Sequence, residues 1–458
     1  MNRKIVLAFV IFIWGILIPA CTPEQNVISG NQKPTYQSEI RPLNKPTATG
    51  SSSMPQIPTP TAEDLNLDTV PILLIGIEEQ PFTSITKSIK SSTEDAIRYA
   101  NEYVELGGMK VELHYTATKS ISESIIETFL EQYEEINPLI VLMAAPVDEE
   151  LAREINRIRV PTLYFGLGGS RLEFNTQEED YLFWLTPLPD EQFAFFLEQT
   201  WKNWEELRPP GIFNEFRIGY LTWDGLPSKF SITPKLDAFN KEKQFDFIFE
   251  GEVAKTSPAS ATNFLLDCVT YGITIVYTDT FGYSPMVLLN DVYSLGLNNF
   301  FVIGGSLWSY DQRDINFLLA PDDVVKFYIP LPVKWWSDEN DPSIILANQI
   351  IDRAGRSDQE KNLAYLLALG AMDISLHVIQ GVDQTKGGKG VSTEQIYSQL
   401  VNLNGYSVLD GLFEVDYSGG NRSTKNLRLW SVTPDHQWVP IGIEMNVPDI
   451  GDDDNTGN

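Results

Sequence analysis

Pro71-Ile72-Leu73-Leu74-Ile75-Gly76-Ile77 is apolar at almost every position, with no alternation of polar and apolar residues. A strand with one face in water alternates, so an unbroken run of this kind belongs to a parallel sheet covered on both faces. Downstream, Ile85, Ile89, Ala96, Ile97, Ala100 and Val104 recur at helical spacing. Gly107-Gly108 follows, the residue type best suited to stop a helix in the left-handed region. The stretch predicts a βα unit, and that unit sets the fold class.

The alternation repeats along the chain. Val111 to Tyr115, Pro138 to Met143 and Pro161 to Phe165 read as strands, separated by helices over Ile121 to Ile136 and Asp148 to Ile158. This order predicts a doubly wound α/β lobe. After Tyr181-Leu182-Phe183-Trp184-Leu185 and a helix from about Asp190 to Trp204, the break Pro209-Pro210-Gly211 opens a second series. Its strands are Arg217 to Leu221, Phe245 to Phe249, Ile273 to Tyr277 and Phe300 to Ile303, with helices over Ile232 to Asn240, Ala261 to Tyr271 and Pro285 to Leu295. Beyond Asp322 come an apolar segment, a long helical pattern through Ala364 to Ile379 and a β-rich end from Leu412 to Ile443. They either form a third domain or return to complete the two lobes.

Upstream of the first strand the chain reads as an address and a tether. A short positive region, Asn2 to Lys4, precedes an apolar run from Ile5 to Ile18 that ends in Ile18-Pro19-Ala20-Cys21. The run is shorter than the ~20 residues a membrane-crossing helix needs, so it reads as a signal peptide over residues 1–20, and no later segment is read as a span. The cysteine after the small residue resembles a bacterial lipobox and implies lipidation of Cys21, although Pro19 departs from the usual small or β-branched residue. Residues 21–69 are rich in Pro, Thr, Ser, Asn and Gln without period, as a flexible tether with a reach on the order of 35 Å. Residues 447–458 read as an acidic disordered tail.

Composition bounds the partners. With 62 acidic against 33 basic residues the formal charge is -29, which repels a phosphate backbone and excludes nucleic acid as the partner. Of the two cysteines, Cys268 is left alone once Cys21 is acylated, and its helical surroundings read as a buried small hydrophobe. His114, His377 and His436 show no metal spacing, and no GxSxG elbow, GxGxxG or Walker loop occurs. The sequence therefore predicts no enzyme, no cofactor and no metal.

Ile75-Gly76-Ile77, Gly107-Gly108-Met109-Lys110-Val111-Glu112-Leu113 and Val160-Pro161-Thr162-Leu163-Tyr164 resemble, in that order, the strand endings of the type I periplasmic binding proteins. The branched-chain amino-acid group is the most similar. Arg217 to Leu221, Ile275-Val276-Tyr277, Leu295 to Gly305, Tyr365 to Asp373 and Val391 to Phe413 continue the likeness, which covers about Val70 to Gly442. It implies two Rossmann-like lobes joined by three crossovers, with residues 70–190 and 325–385 in the first lobe and 191–324 and 386–446 in the second. It also implies a small-molecule solute in the cleft, delivered to an ABC permease by a protein held on the outer or periplasmic face of the membrane.

Ligands of open α/β sheets lie outside the carboxyl ends of the strands. By resemblance, the hydroxyl site after the third strand falls on Ala144-Ala145-Pro146 and the turn after the fourth on Gly166-Leu167-Gly168, so the usual carboxylate clamp is depleted. The main chain of Gly166 to Ser170 either receives an anion or only shapes a tight turn. Asp190 stands where the family has an acid at the first crossover, and reads equally well as a helix N-cap. The aromatic after the first strand of lobe two falls on Pro227, with Trp223 and Asp224 near it, while Phe281 keeps the aromatic after the third. A second acid falls on Ser306, so one ammonium partner is missing and a less charged or more aromatic ligand is expected than a standard amino acid. Trp223, Phe281, Tyr283 and Trp308 serve either as stacking surface or as lobe packing. Beside the transport reading stands that of an anchored sensor or interaction protein that keeps the fold without transport.

Overall fold

Ile72 to Ile77 are all buried in the first strand, β1 (Thr69–Ile77), because a strand lies against each of its edges and helices cover both faces. A computed structural model describes residues 69–446 except 105, 107, 121–122, 168–179, 211–215, 224–245, 254–259, 281, 310–326, 387–390 and 433–437. Cys21, the tether, Gly168, the helix expected over Ile232 to Asn240, Phe281, His436 and the acidic tail lie outside the described residues.

The first lobe follows in order as α1 (Phe82–Tyr103), β2 (Lys110–Thr118), α2 (Ile125–Ile136), β3 (Ile140–Ala144), α3 (Glu149–Ile158), β4 (Thr162–Tyr164) and β5 (Leu182–Trp184). Its five parallel strands run β2-β1-β3-β4-β5, a doubly wound order that reverses between β1 and β3. Local chemistry sets the helix ends. Ser124 and Asp148 accept from the backbone N–H groups of Glu127 and Leu151 at the starts of α2 and α3. Leu151, Ala152, Ile155 and Ile158 form the apolar stripe of α3. The first helix ends at Tyr103, ahead of the expected stop at Gly107-Gly108, where Val104 turns extended.

The chain then crosses through α4 (Pro189–Lys202) and α5 (Trp204–Leu207) to β6 (Arg217–Trp223), β7 (Asp246–Val253), α6 (Thr262–Thr270), β8 (Ile275–Thr278), α7 (Tyr283–Ser294), β9 (Val302–Gly305) and β10 (Phe327–Leu331). These strands are again parallel and ordered β7-β6-β8-β9-β10, so the second sheet repeats the first and reverses between β6 and β8. Phe193 of α4 packs on Tyr220 and Tyr277 and Phe196 packs on Tyr277, which fastens the crossover helix to the second sheet. Cys268 is fully buried in α6, and burial first, with the Asp267 charge second, pushes its thiol up to about 12.

Two expected lobe boundaries move. Phe327–Leu331, placed in the first lobe by the boundary at 325, pairs with β9 and is the fifth strand of the second sheet. The chain returns to lobe one only afterwards, through α8 (Pro342–Arg353) and α9 (Leu363–Lys386), which packs along α1. There Ser92 donates to the Tyr365 carbonyl at 2.7 Å. Leu363–Val382 is long and apolar enough to cross a membrane, but it is mostly buried in the protein core.

The segment from 386 onward, expected in lobe two, stays with lobe one through α10 (Thr393–Leu400) and the hairpin of β11 (Tyr406–Val408) and β12 (Phe413–Val415). Asp373 of α9 accepts from the Leu409 N–H and the Tyr406 hydroxyl, both at 2.8 Å. Tyr417 donates to the Trp184 carbonyl at 2.9 Å, and Trp184 N–H donates to the Arg422 carbonyl at 2.6 Å. Only past Arg422 does the chain cross again, to add β13 (Asn426–Val432) and β14 (Trp438–Asn446) antiparallel at the β10 edge.

Candidate binding cleft

Among the described residues, the carboxyl ends of the two sheets meet through Pro81 with Gly282 and through Phe165 with Trp308. Pro81, just beyond β1, lies against Gly282, just beyond β8, so closely that a Cβ at Gly282 would collide with the proline ring. Gly282 also holds φ +65, a conformation that L side chains rarely adopt. Elsewhere, the Trp308 indole N–H donates to the Phe165 carbonyl at 3.2 Å, bridging the end of β9 to the end of β4. Trp308 is only 7% exposed, so the ring is part of the interlobe wall.

On the first lobe, Ala144 ends β3 opposite Gly76, and both Ala144 and Ala145 are fully buried. They shape the wall and present no polar side chain. Gly166 has φ +71 and is partly exposed, and a Cβ there would meet the Thr186 hydroxyl at 2.6 Å. The tight turn therefore requires glycine. Beside it, Trp184 Nε1 and Thr186 Oγ1 are buried with no hydrogen-bond partner among the described residues. Sequence reading did not single out either of them, although both lie at the end of the apolar run that forms β5.

Asp190 is almost fully buried in the first turn of α4, where its carboxylate accepts from the Glu191 N–H at 3.0 Å. It is not the N-cap. Leu188 occupies that place, and Glu191 reaches back to the Leu188 N–H at 2.9 Å. The neighbouring Gln192 ties the helix to both sides, since its amide donates to the Pro187 carbonyl and its oxygen accepts from the Leu307 N–H.

On the second lobe, Trp223 is the last residue of β6, and its side chain lies outside the described residues. Ser306 is buried next to β9; its N–H donates to the Thr278 carbonyl at 3.0 Å and its hydroxyl lies 3.0 Å from that of Ser309. The pairing of Thr278 with Gly305 brings the next residue, Asp279, beside Ser306. Asp279 is partly exposed, its N–H donates to the Leu221 carbonyl at 2.9 Å, and its carboxylate accepts from the Tyr220 hydroxyl at 3.2 Å. Desolvation raises its pKa from 3.8 to about 6, against the lowering effect of the Ser306 and Tyr220 hydrogen bonds.

The described part of the cleft holds hydroxyls, backbone groups and carboxylates rather than a nucleophile beside a base. His114 lies 3.8 Å from Glu112 on β2, and His377 stacks on Tyr406, both outside the cleft. Among the described residues no group of three His, Cys, Asp or Glu could hold a metal ion. What the arrangement can do is enclose a small polar molecule.

No family model and no curated protein matches the chain by sequence. Solved structures match by fold. A branched-chain amino acid ABC transporter protein from Thermus thermophilus with bound valine has a TM-score of 0.68 at 17% identity, over 83% of this chain and 97% of that one. The branched-chain amino acid transporter substrate-binding protein LivJ from Streptococcus pneumoniae, in complex with isoleucine, gives 0.63 at 10% identity, over 81% and 99%. A solute-binding protein of an ABC transporter from R. palustris, in complex with 4-hydroxybenzoate, gives 0.64 at 12% identity, over 83% and 98%. The chain has the two-lobed α/β fold of the type I periplasmic binding proteins.

Proposed function

We propose that this protein is an extracytoplasmic solute-binding protein that captures a small polar or amino-acid-like ligand between its lobes and hands it to an ABC importer. One observation carries the reading: two sheets with the same strand order turn their carboxyl ends toward each other and touch through Pro81 and Gly282 and through Phe165 and Trp308. Ligand sites of such sheets lie at those ends, where strand order reverses. The solved structures of this fold include proteins with valine, isoleucine and 4-hydroxybenzoate bound, which is consistent with one frame serving solutes of different charge.

In this reading Gly166, Asp190 and Ser306 contact the ligand, Ala144 and Ala145 shape the wall, and Gly168, Trp223 and Phe281 are further ligand-binding residues proposed from the resemblance. The unpartnered Thr186 hydroxyl joins Gly166 as a donor to a polar ligand group. A lipid on Cys21 and the tether through residue 69 hold the lobes near a membrane permease.

The test is a screen of the full chain against amino acids, amides, small acids and aromatic acids. A ligand at a hundredfold its Kd stabilises the folded state by about 2.7 kcal/mol, which is readily seen as a rise in melting temperature. A flat response to every class refutes capture and favours an anchored receptor that keeps the fold without transport.

A further inference from the structure

We infer that the pole of the second lobe far from the cleft, built from the carboxyl ends of α6 and α7, is a docking surface for a second copy of this chain. The inference does not depend on what the cleft binds.

The first ground is where exposed apolar side chains gather. Leu266, Val269 and Tyr271 at the end of α6 are 48%, 39% and 49% exposed, and Tyr293, Leu295 and Phe300 at and just after the end of α7 are 40%, 36% and 46% exposed. α6 packs along α7, and the parallel pairing of β8 with β9 sets the two loops that enter these strands side by side. There the Val302 N–H donates to the Thr274 carbonyl at 2.9 Å. Both helices close in the same way: Ile273 and Leu297 donate to the Cys268 and Val292 carbonyls, past Gly272 and Gly296 at φ +67. The turns bury Ile273 and Leu297 and leave Tyr271 and Leu295 in solvent. Because these loops precede β8 and β9, they stand at the amino ends of the sheet, away from the strand ends that meet lobe one.

Charge is the second ground. Residues 262–300 carry three acids, Asp267, Asp279 and Asp291, and no Lys or Arg, in a chain with a formal charge of -29. Asp279 belongs to the cleft end of the sheet, and Asp291 accepts from the Ser260 hydroxyl at 2.9 Å. Asp267 is the exposed acid of the two helices. A copy of so acidic a chain is repelled from most faces of another, and least from one with little charge. A basic partner is drawn to the acidic faces instead.

Area is the third. The exposed fractions correspond to roughly 500 Å² of apolar side chain on one copy, large for the surface of a monomer. A two-fold axis through the patch sets the same residues against themselves, closes the assembly at two copies and covers about 1,000 Å², the lower bound of a specific interface.

Sedimentation of the full chain over a range of concentrations tests the inference. The expected result is a monomer–dimer equilibrium with a Kd on the order of 10 µM, tightened by sodium chloride, which screens the like net charges. Leu266→Asp combined with Leu295→Asp weakens it about hundredfold or more, and Tyr293→Ser, which adds no charge, weakens it in the same direction. Unchanged melting curves show that these surface variants are folded. A monomer at every concentration overturns the inference. If that monomer floats with phosphatidylcholine vesicles and the double variant does not, the patch faces lipid instead. Association that is equally strong in the double variant also overturns it and places the self-contact elsewhere in the chain.

Discussion

Replacing Asp279 by Asn should make the ligand-free protein more stable at pH 8, and the gain should vanish in acid. The carboxyl binds its proton more tightly in the folded chain than in the unfolded one, since burial raises its pKa from 3.8 to about 6. The sign follows from linkage. Below the unfolded value both states are protonated and the group costs nothing; above about pH 6 the full penalty is present. That penalty is about 3 kcal/mol, taking ~1.4 kcal/mol for each pKa unit. Asn keeps an acceptor for the Tyr220 hydroxyl and adds two N–H donors to a cluster that is short of them. The assay is urea unfolding of protein stripped of ligand, wild type and variant, at pH 8 and pH 3.5. The variant's midpoint should be higher at pH 8 and equal at pH 3.5. A variant less stable at pH 8, or a gain that is the same at both values, refutes the picture of an uncompensated carboxylate.

Two other substitutions separate closure from folding. Trp308→Phe keeps most of the ring but removes the N–H that reaches the Phe165 carbonyl, a bond worth about 1 kcal/mol net, so small-angle scattering should show the open population of the ligand-free protein rising roughly fivefold. An unchanged scattering profile would mean that the bond does not govern closure. Arg356→Ala leaves the fully buried Asp95 carboxylate without the guanidinium that holds it at 2.8 and 3.0 Å, with the Tyr365 hydroxyl and the more distant Arg98 guanidinium at 3.9 Å remaining, and should cost ~3 kcal/mol in unfolding free energy while leaving ligand affinity unchanged.

The parallel strands were legible because burial on both faces writes itself as continuous apolar runs, as from Ile72 to Ile77 and from Ile140 to Ala144. Phe327–Leu331 was legible as part of an apolar segment, but its lobe was not, because the resemblance set the return to lobe one at 325 and only the pairing with β9 decides the sheet. The pairing shows how a proline is tolerated in it: Pro330 lies opposite Leu429 near the end of a short antiparallel ladder. The lobe of residues 393–422 was not legible for a different reason. An amphipathic helix records that it has a partner, not which sheet supplies it, and only the bonds from Asp373 and Trp184 decide that question.

The cleft was legible to the level of strand ends and no further. Resemblance directed attention to Ser306, one strand away from the acid. An acid immediately after the apolar run Ile273 to Tyr277 and Thr278 was the available signal for Asp279, but its meaning depends on the register that sets Thr278 beside Gly305. Register between non-adjacent segments is a tertiary property, and no periodicity within either strand encodes it.

Asp279 and Trp308 act on the same closure from opposite sides. Both stand at neighbouring strand ends of the second lobe, and the contacts that bring lobe one over them are the Trp308 bond and the Pro81–Gly282 approach. Closure without a ligand gains the indole hydrogen bond and withdraws water from a carboxylate that has too few donors. The first effect is about 1 kcal/mol, and whatever share of the ~3 kcal/mol desolvation penalty arises on closing opposes it. A ligand group that donates a hydrogen bond to the carboxylate would remove that opposition, and the indole bond would then add to closure instead of competing with the charge. A ligand without such a group would leave the penalty in place, so the residue that makes the empty protein less stable would also weigh against closure.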